Sequence, residues 1–143
     1  MKPVRPLAVL APACAVLALA ACLPFAPKEP PMPTGQQDYE AVCATCHGPT
    51  GLGDGPSAAG LPVKPANLTL LAKNNGGVFP TTAVMAQIWG YSGGGKNGSV
   101  MPSFAPLLDG AQMVLYDGGD GIPTPTPVRL VNVAEYIKTL QVK

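Results

Sequence analysis

The sequence predicts one small domain with much loop and few regular elements of its own, wrapped around something other than its own side chains. Three observations predict it. The chain has 143 residues, the length of a single domain. Proline (18) and glycine (17) are both abundant, so turns and loops take a large share of the backbone. Aromatic residues make up only 6% of the chain, and a domain this small buries a limited fraction of its surface, so a staple or a cofactor helps it fold.

The N-terminus is a targeting segment. Lys2 and Arg5 precede an apolar, alanine-rich run from Leu7 to Ala20, which closes on Leu19-Ala20-Ala21-Cys22. A positive start, a short apolar run and small residues at the boundary read as a secretory signal over residues 1–21. The run is short for a bilayer span, and Pro6 and Pro12 interrupt it. Its ending is similar to a bacterial lipobox, and that resemblance implies that Cys22 becomes the first mature residue and carries lipid. Multiple acylation anchors stably, where one chain holds only marginally. An uncleaved anchor helix and a plain signal with a soluble product are the alternatives, and all three place the domain outside the cytoplasm. Residues 22–35 include LPFAPKEPPMPTG, whose five prolines favour extended geometry. Twelve such residues reach up to about 37 Å, a semi-rigid tether ahead of a domain over 36–143.

Charge excludes one class of partner. Without Lys2 and Arg5, seven basic residues face eight acidic ones, and no basic run occurs. That balance offers no footprint for a nucleic acid.

Residues 43–47 read Cys-Ala-Thr-Cys-His, the attachment motif of a c-type haem. The spacing serves the chemistry: each thiol adds across one vinyl group, and the adjacent histidine meets the iron. Gln37 to Val42 suit a helix that presents this segment. A dithiol redox pair would sit in an alternating strand–helix pattern, which is absent. Structural zinc would need two further ligands, and Cys14 and Cys22 lie in the signal region. A disulfide between Cys43 and Cys46 leaves His47 unexplained. With Cys14 lost, Cys22 lipidated and Cys43 and Cys46 on haem, no thiol is left over.

His47 is the only histidine, which excludes bis-histidine ligation within the chain. A second axial ligand would then be a methionine, which raises the reduction potential. Met32 lies in the tether. Met85 sits in a helical stretch from Thr82 to Trp89, and Met113 stands among Val114 and Leu115, so both read as core. Met101 follows the loop Gly-Gly-Gly-Lys-Asn-Gly and precedes Pro102, which holds it in extended geometry suited to projecting a side chain onto a flat cofactor. Met101 is the favoured ligand; Met85, Met113 and an open site are the alternatives.

The stretch CATCHGPTGLGDGPSAAGLPVKPANLTL resembles the small bacterial class I cytochromes c, as do VMPSFAPLL and the closing NVAEYIKTL. The resemblance implies a mostly α, class I cytochrome c fold around one covalent haem c, with His47 proximal and Met101 distal. It implies that a proline carbonyl, here Pro65 with Pro62 as competitor, accepts the histidine ring N–H. Gly51, Gly53 and Gly55 would form a tight loop at the haem edge. Tyr39 and Tyr136 would pack where the first and last helices cross. Leu61, Leu68, Leu71, Val84, Ile88 and Phe104 would line the pocket, and Trp89 reads as a core aromatic.

In the terminal helix Thr126 is placed to cap and Pro127 to occupy the first position. Leu130, Ala134, Ile137 and Leu140 or Gln141 then follow at spacings of three and four, giving an apolar stripe. Before it, YDGGDGIPTPT over 116–126 departs from the short family members and reads as a surface loop; Asp117 and Asp120 lack the full acidic series of a calcium site.

The function these readings support is single-electron transfer, not enzymatic turnover. The carrier would be held by lipid on Cys22 at a bacterial membrane, facing the periplasm, and would exchange electrons with a protein donor and acceptor as a monomer or as a subunit of a membrane oxidoreductase. A five-coordinate haem peroxidase or sensor is the rival class, and the lack of a second histidine counts against it.

Overall fold

A computed structural model describes residues 31–91, 101–109 and 112–142. The expected signal segment 1–21, the lipid candidate Cys22, most of the expected 22–35 tether and the glycine-rich residues 92–100 before Met101 lie outside the described residues. Met32–Lys143 forms one unit, rich in helix and carrying a two-stranded sheet. Among the described residues no helix is long and apolar enough to cross a membrane.

Thr34 starts the first helix. Its hydroxyl accepts from the Gln37 N–H at 3.2 Å, while the Gln37 side chain accepts from the Thr34 N–H at 2.8 Å. This reciprocal box satisfies two amides that a helix start leaves open. α1 (Gly35–Asp38) runs through a π turn (Tyr39–Cys43) directly into α2 (Ala44–His47). The helix therefore begins two residues before the expected 37–42 segment and carries the thiols and the histidine at its C-terminal end.

Three short elements follow, 3-10 turns at Ala58–Gly60 and Leu68–Leu70 and α3 (Leu71–Asn74). α4 (Thr81–Trp89) contains the predicted Thr82–Trp89 stretch and ends at Gly90 in left-handed geometry. α5 (Ala105–Leu108) follows Met101 closely. α6 (Val128–Thr139) is the longest helix and supplies much of the core: Leu130, Val133, Ala134 and Ile137 are buried against Tyr39, Ile88 and Leu108. α1 and α6 cross so closely that a Cβ at Gly35 would strike the Asn132 carbonyl. The Tyr39 and Tyr136 rings meet at this crossing, 5.2 Å apart and tilted by 55°, as the sequence suggested.

The 116–126 segment is not the plain surface loop expected. β1 (Met113–Tyr116) pairs antiparallel with β2 (Thr124–Pro127), with Val114 opposite Thr126 and Leu115 opposite Pro125. The Val128 N–H donates to the Gln112 carbonyl at 2.8 Å, which sets the phase of the ladder. Pro125 and Pro127 then fall at positions whose missing N–H faces away from β1, where proline costs no ladder bond. Thr126 consequently belongs to the strand and does not cap α6; its hydroxyl donates to the Thr124 carbonyl, and Pro127 takes the cap position. Met113, read as core, is more than half exposed, because successive residues of a strand face opposite ways and only one face meets α6.

Candidate functional site

The site is built on the end of α2. Cys43 is buried, Cys46 half-buried, and neither is in a disulfide. Burial pushes the Cys43 thiol up to about 12, with the charges of Asp38 and Cys46 adding to it, so at neutral pH it stays a thiol rather than the thiolate of a redox pair. Tyr39 is fully buried, and its hydroxyl donates to the Gly48 carbonyl at 2.7 Å, fixing the residue after His47.

A glycine loop folds back over the helix end. The N–H groups of Gly53, Gly55 and Ser57 donate to the carbonyls of His47, Cys46 and Thr45 at 2.8, 3.1 and 2.9 Å. These are carbonyls that a helix C-terminus leaves without partners. Gly53 has φ +78°, and a Cβ there would run into the Pro65 carbonyl. The loop then leads to a bond from the Leu68 N–H to the Gly51 carbonyl at 2.7 Å. The Asn67 side chain accepts from the Thr69 N–H at 2.9 Å and starts the next turn.

This backbone path brings a carbonyl to the histidine. His47 is buried, and its Nδ1 lies 2.9 Å from the Ala66 oxygen. A carbonyl only accepts, so Nδ1 carries a proton and, in the neutral ring, Nε2 presents its lone pair. The expected acceptor, Pro65, is one residue out: its carbonyl is packed against Gly53 instead, and the chain turn at 65–67 passes the histidine to Ala66.

Met101 is half-buried and packs against the core cluster, together with Leu68, Leu71, Val84, Met85 and Phe104. Of the other methionines, Met85 is half-buried against the same core, while Met32 and Met113 are exposed. The Met101 segment is fastened to the end of α4. The Gln87 Nε2 approaches the Met101 Sδ at 3.7 Å, the Phe104 N–H donates to the Ile88 carbonyl at 2.9 Å, and the Ser103 hydroxyl donates to the Trp89 carbonyl at 2.5 Å. Gln87 and Ala66 are the contributors that sequence reading missed. Gln87 carried a signal, a polar side chain inside the apolar run of α4, whereas Ala66 acts through its backbone and carried none.

A cleft of about 480 Å³ lies elsewhere, between the start of α4, Tyr116 and the Asp117–Asp120 turn, and neither the cysteines, His47 nor Met101 line it. In that turn the Asp117 carboxylate accepts from the Gly119 and Gly121 N–H groups at 2.8 and 3.0 Å, which holds it below the usual carboxylate range. Among the described residues no group of three or more acidic, cysteine or histidine side chains is placed to hold a metal.

Two thiols and one imidazole nitrogen within a single turn form a donor set suited to a covalently held haem. A family model described as cytochrome c oxidase, cbb3-type, subunit III matches residues 30–114, more than half of the chain. The match spans the cysteine–histidine turn, the glycine loop and Met101 and stops within β1. No curated protein and no solved structure matches the chain. The chain therefore belongs to the cbb3-type subunit III family of cytochrome c domains, which bind haem c and carry electrons.

Proposed function

We propose that this protein is a membrane-tethered monohaem cytochrome that passes single electrons between redox proteins. Cys43 and Cys46 would hold the haem through thioether links to its two vinyl groups, and the His47 Nε2 and the Met101 sulfur would ligate its iron. The observation that carries this reading is the end of α2, where two unpaired thiols and a histidine with its Nδ1 already engaged sit in one turn. When bound, the haem supplies the one-electron chemistry. The chain's residues hold it, orient it and keep water from its faces. The Ala66 carbonyl fixes the ring and makes the imidazole a stronger donor. With both axial positions taken by protein atoms, no site is left for a substrate, in keeping with a carrier rather than an enzyme.

Two further features complete the proposal. Residues 1–21 export the chain, and lipid on Cys22 holds it to a bacterial membrane on the periplasmic side, with 22–35 as spacer. A second arrangement, a subunit of a larger membrane oxidase, is favoured by the family model's description as subunit III of a cbb3-type oxidase.

Export with a haem-attachment system, followed by haem staining of denaturing gels, tests the attachment. The wild type is expected to retain haem after denaturation, and Cys43→Ala/Cys46→Ala to lose it. Thiols that remain open to alkylation in the exported wild type would refute the assignment.

A further inference from the structure

We infer that Gln87 is a positioning residue for the iron ligand: its amide N–H on the Met101 sulfur raises the reduction potential of the bound haem. This rests on the reading of Met101 as an axial ligand. Gln87 is half-buried in the last turn of α4, and its Nε2 lies 3.7 Å from the Met101 Sδ, hydrogen-bonding range for sulfur. The contact is not incidental to a loose loop. The Phe104 N–H donates to the Ile88 carbonyl and the Ser103 hydroxyl to the Trp89 carbonyl, which holds the two segments in register. Consecutive residues 87, 88 and 89 thus grip residues 101, 104 and 103.

A thioether sulfur has two lone pairs. A donor N–H on one of them withdraws electron density and leaves the other for a metal. Ferric iron is the more electron-poor state, so it loses more from a weakened sulfur donor than ferrous iron does. The amide therefore favours the reduced state. It carries no charge, so its effect persists across the ordinary pH range. It also restricts the thioether to one orientation, since the lone pair facing Gln87 cannot also face the metal.

The test compares exported holoproteins of the wild type, Gln87→Asn and Gln87→Leu. Asparagine keeps an amide in place but is too short to reach the sulfur; leucine removes the polar group. For each, the reduction potential, the sulfur-to-ferric-iron absorption band and the carbon monoxide response of the reduced form are measured. Both variants are expected to keep the band and to ignore carbon monoxide, while their potentials fall. A tenfold shift toward the oxidised state corresponds to about 59 mV for one electron. Taking the positive end of the amide away from the sulfur relieves ferric iron and lowers the potential, so an unchanged or raised value in Gln87→Leu overturns the inference. Loss of the band with new carbon monoxide binding in the variants also overturns it, because Gln87 would then only secure the loop. If the wild type itself lacks the band, the Met101 assignment fails, and the role of Gln87 fails with it.

Discussion

His47 illustrates how much of a site is fixed by backbone that the site residue never touches in sequence. Its Nδ1 partner is Ala66, nineteen positions on, and that carbonyl is delivered by the glycine loop that folds over α2. The cysteine pair and the histidine were legible from the sequence because attachment chemistry is local: three side chains within five residues must meet one cofactor. Ala66 was not legible, since any residue offers a carbonyl, and the expectation fell on its neighbour Pro65. Gly53 is where this arrangement is most exposed to substitution. Its φ of +78° suits glycine, and a Cβ there would push on the Pro65 carbonyl beside the histidine's acceptor. Gly53→Ala is expected to lower stability by about 1–3 kcal/mol, read as a shift of the denaturant midpoint of the exported protein. An unchanged midpoint would mean that the 51–55 loop does not depend on the conformation at this position.

The contacts between elements divide into a part the sequence announced and a part it did not. The apolar stripe of α6 and the Tyr39–Tyr136 contact follow from helical spacing. The hairpin did not follow, because Asp, Gly and Pro over 116–126 read as loop, and only pairing with β1 makes a strand of Thr124–Pro127. The clasp between Asp38 and Arg129 was equally hidden, being 91 residues apart. Arg129 grips both oxygens of Asp38, at 3.0 and 2.5 Å, and donates to the Leu107 carbonyl at 2.6 Å, so it joins α1, α6 and the end of α5. The Asp38 side chain is 6% exposed. Arg129→Met leaves that carboxylate without its partner, and removing one member of a buried pair costs about 3–5 kcal/mol. The partial exposure of Arg129, 28%, places the expected loss toward the lower end. Arg129→Met/Asp38→Asn should recover part of it in denaturant titrations; a double variant no more stable than the single would contradict this account of the clasp. The hairpin has its own fastening to α6, where the Tyr116 hydroxyl donates to Glu135. Burial, followed by Glu135, pushes Tyr116 from its ordinary 10.0 up to about 12. A phenol with a raised folded-state value contributes its full stability below about 10 and loses it as pH rises toward about 12. The wild type should therefore exceed Tyr116→Phe in stability at neutral pH, by about 1 kcal/mol for one hydrogen bond, and the gap should close over that alkaline interval. A gap that stays constant with pH would dissociate the bond from the titration.

At the scale of the molecule, the proposed haem site draws on several short helices and loops. α2 brings the thiols and the imidazole, the 51–68 segment orients the imidazole, and α4 with the 101–108 segment brings the thioether. Composition already suggested a chain that needs a cofactor to organise it, and the family match names the class of that cofactor. The charge balance near neutrality predicts weak electrostatic steering toward redox partners, so association should depend little on salt. The central claim is that His47 and Met101 occupy both axial positions, and the most direct test is the visible spectrum of the exported protein, oxidised, reduced, and reduced with carbon monoxide. The account predicts a sharp low-spin c-type spectrum when reduced, a sulfur-to-iron band when oxidised, and no change with carbon monoxide. A high-spin spectrum that shifts on adding carbon monoxide would contradict it, and would show an iron open to small molecules.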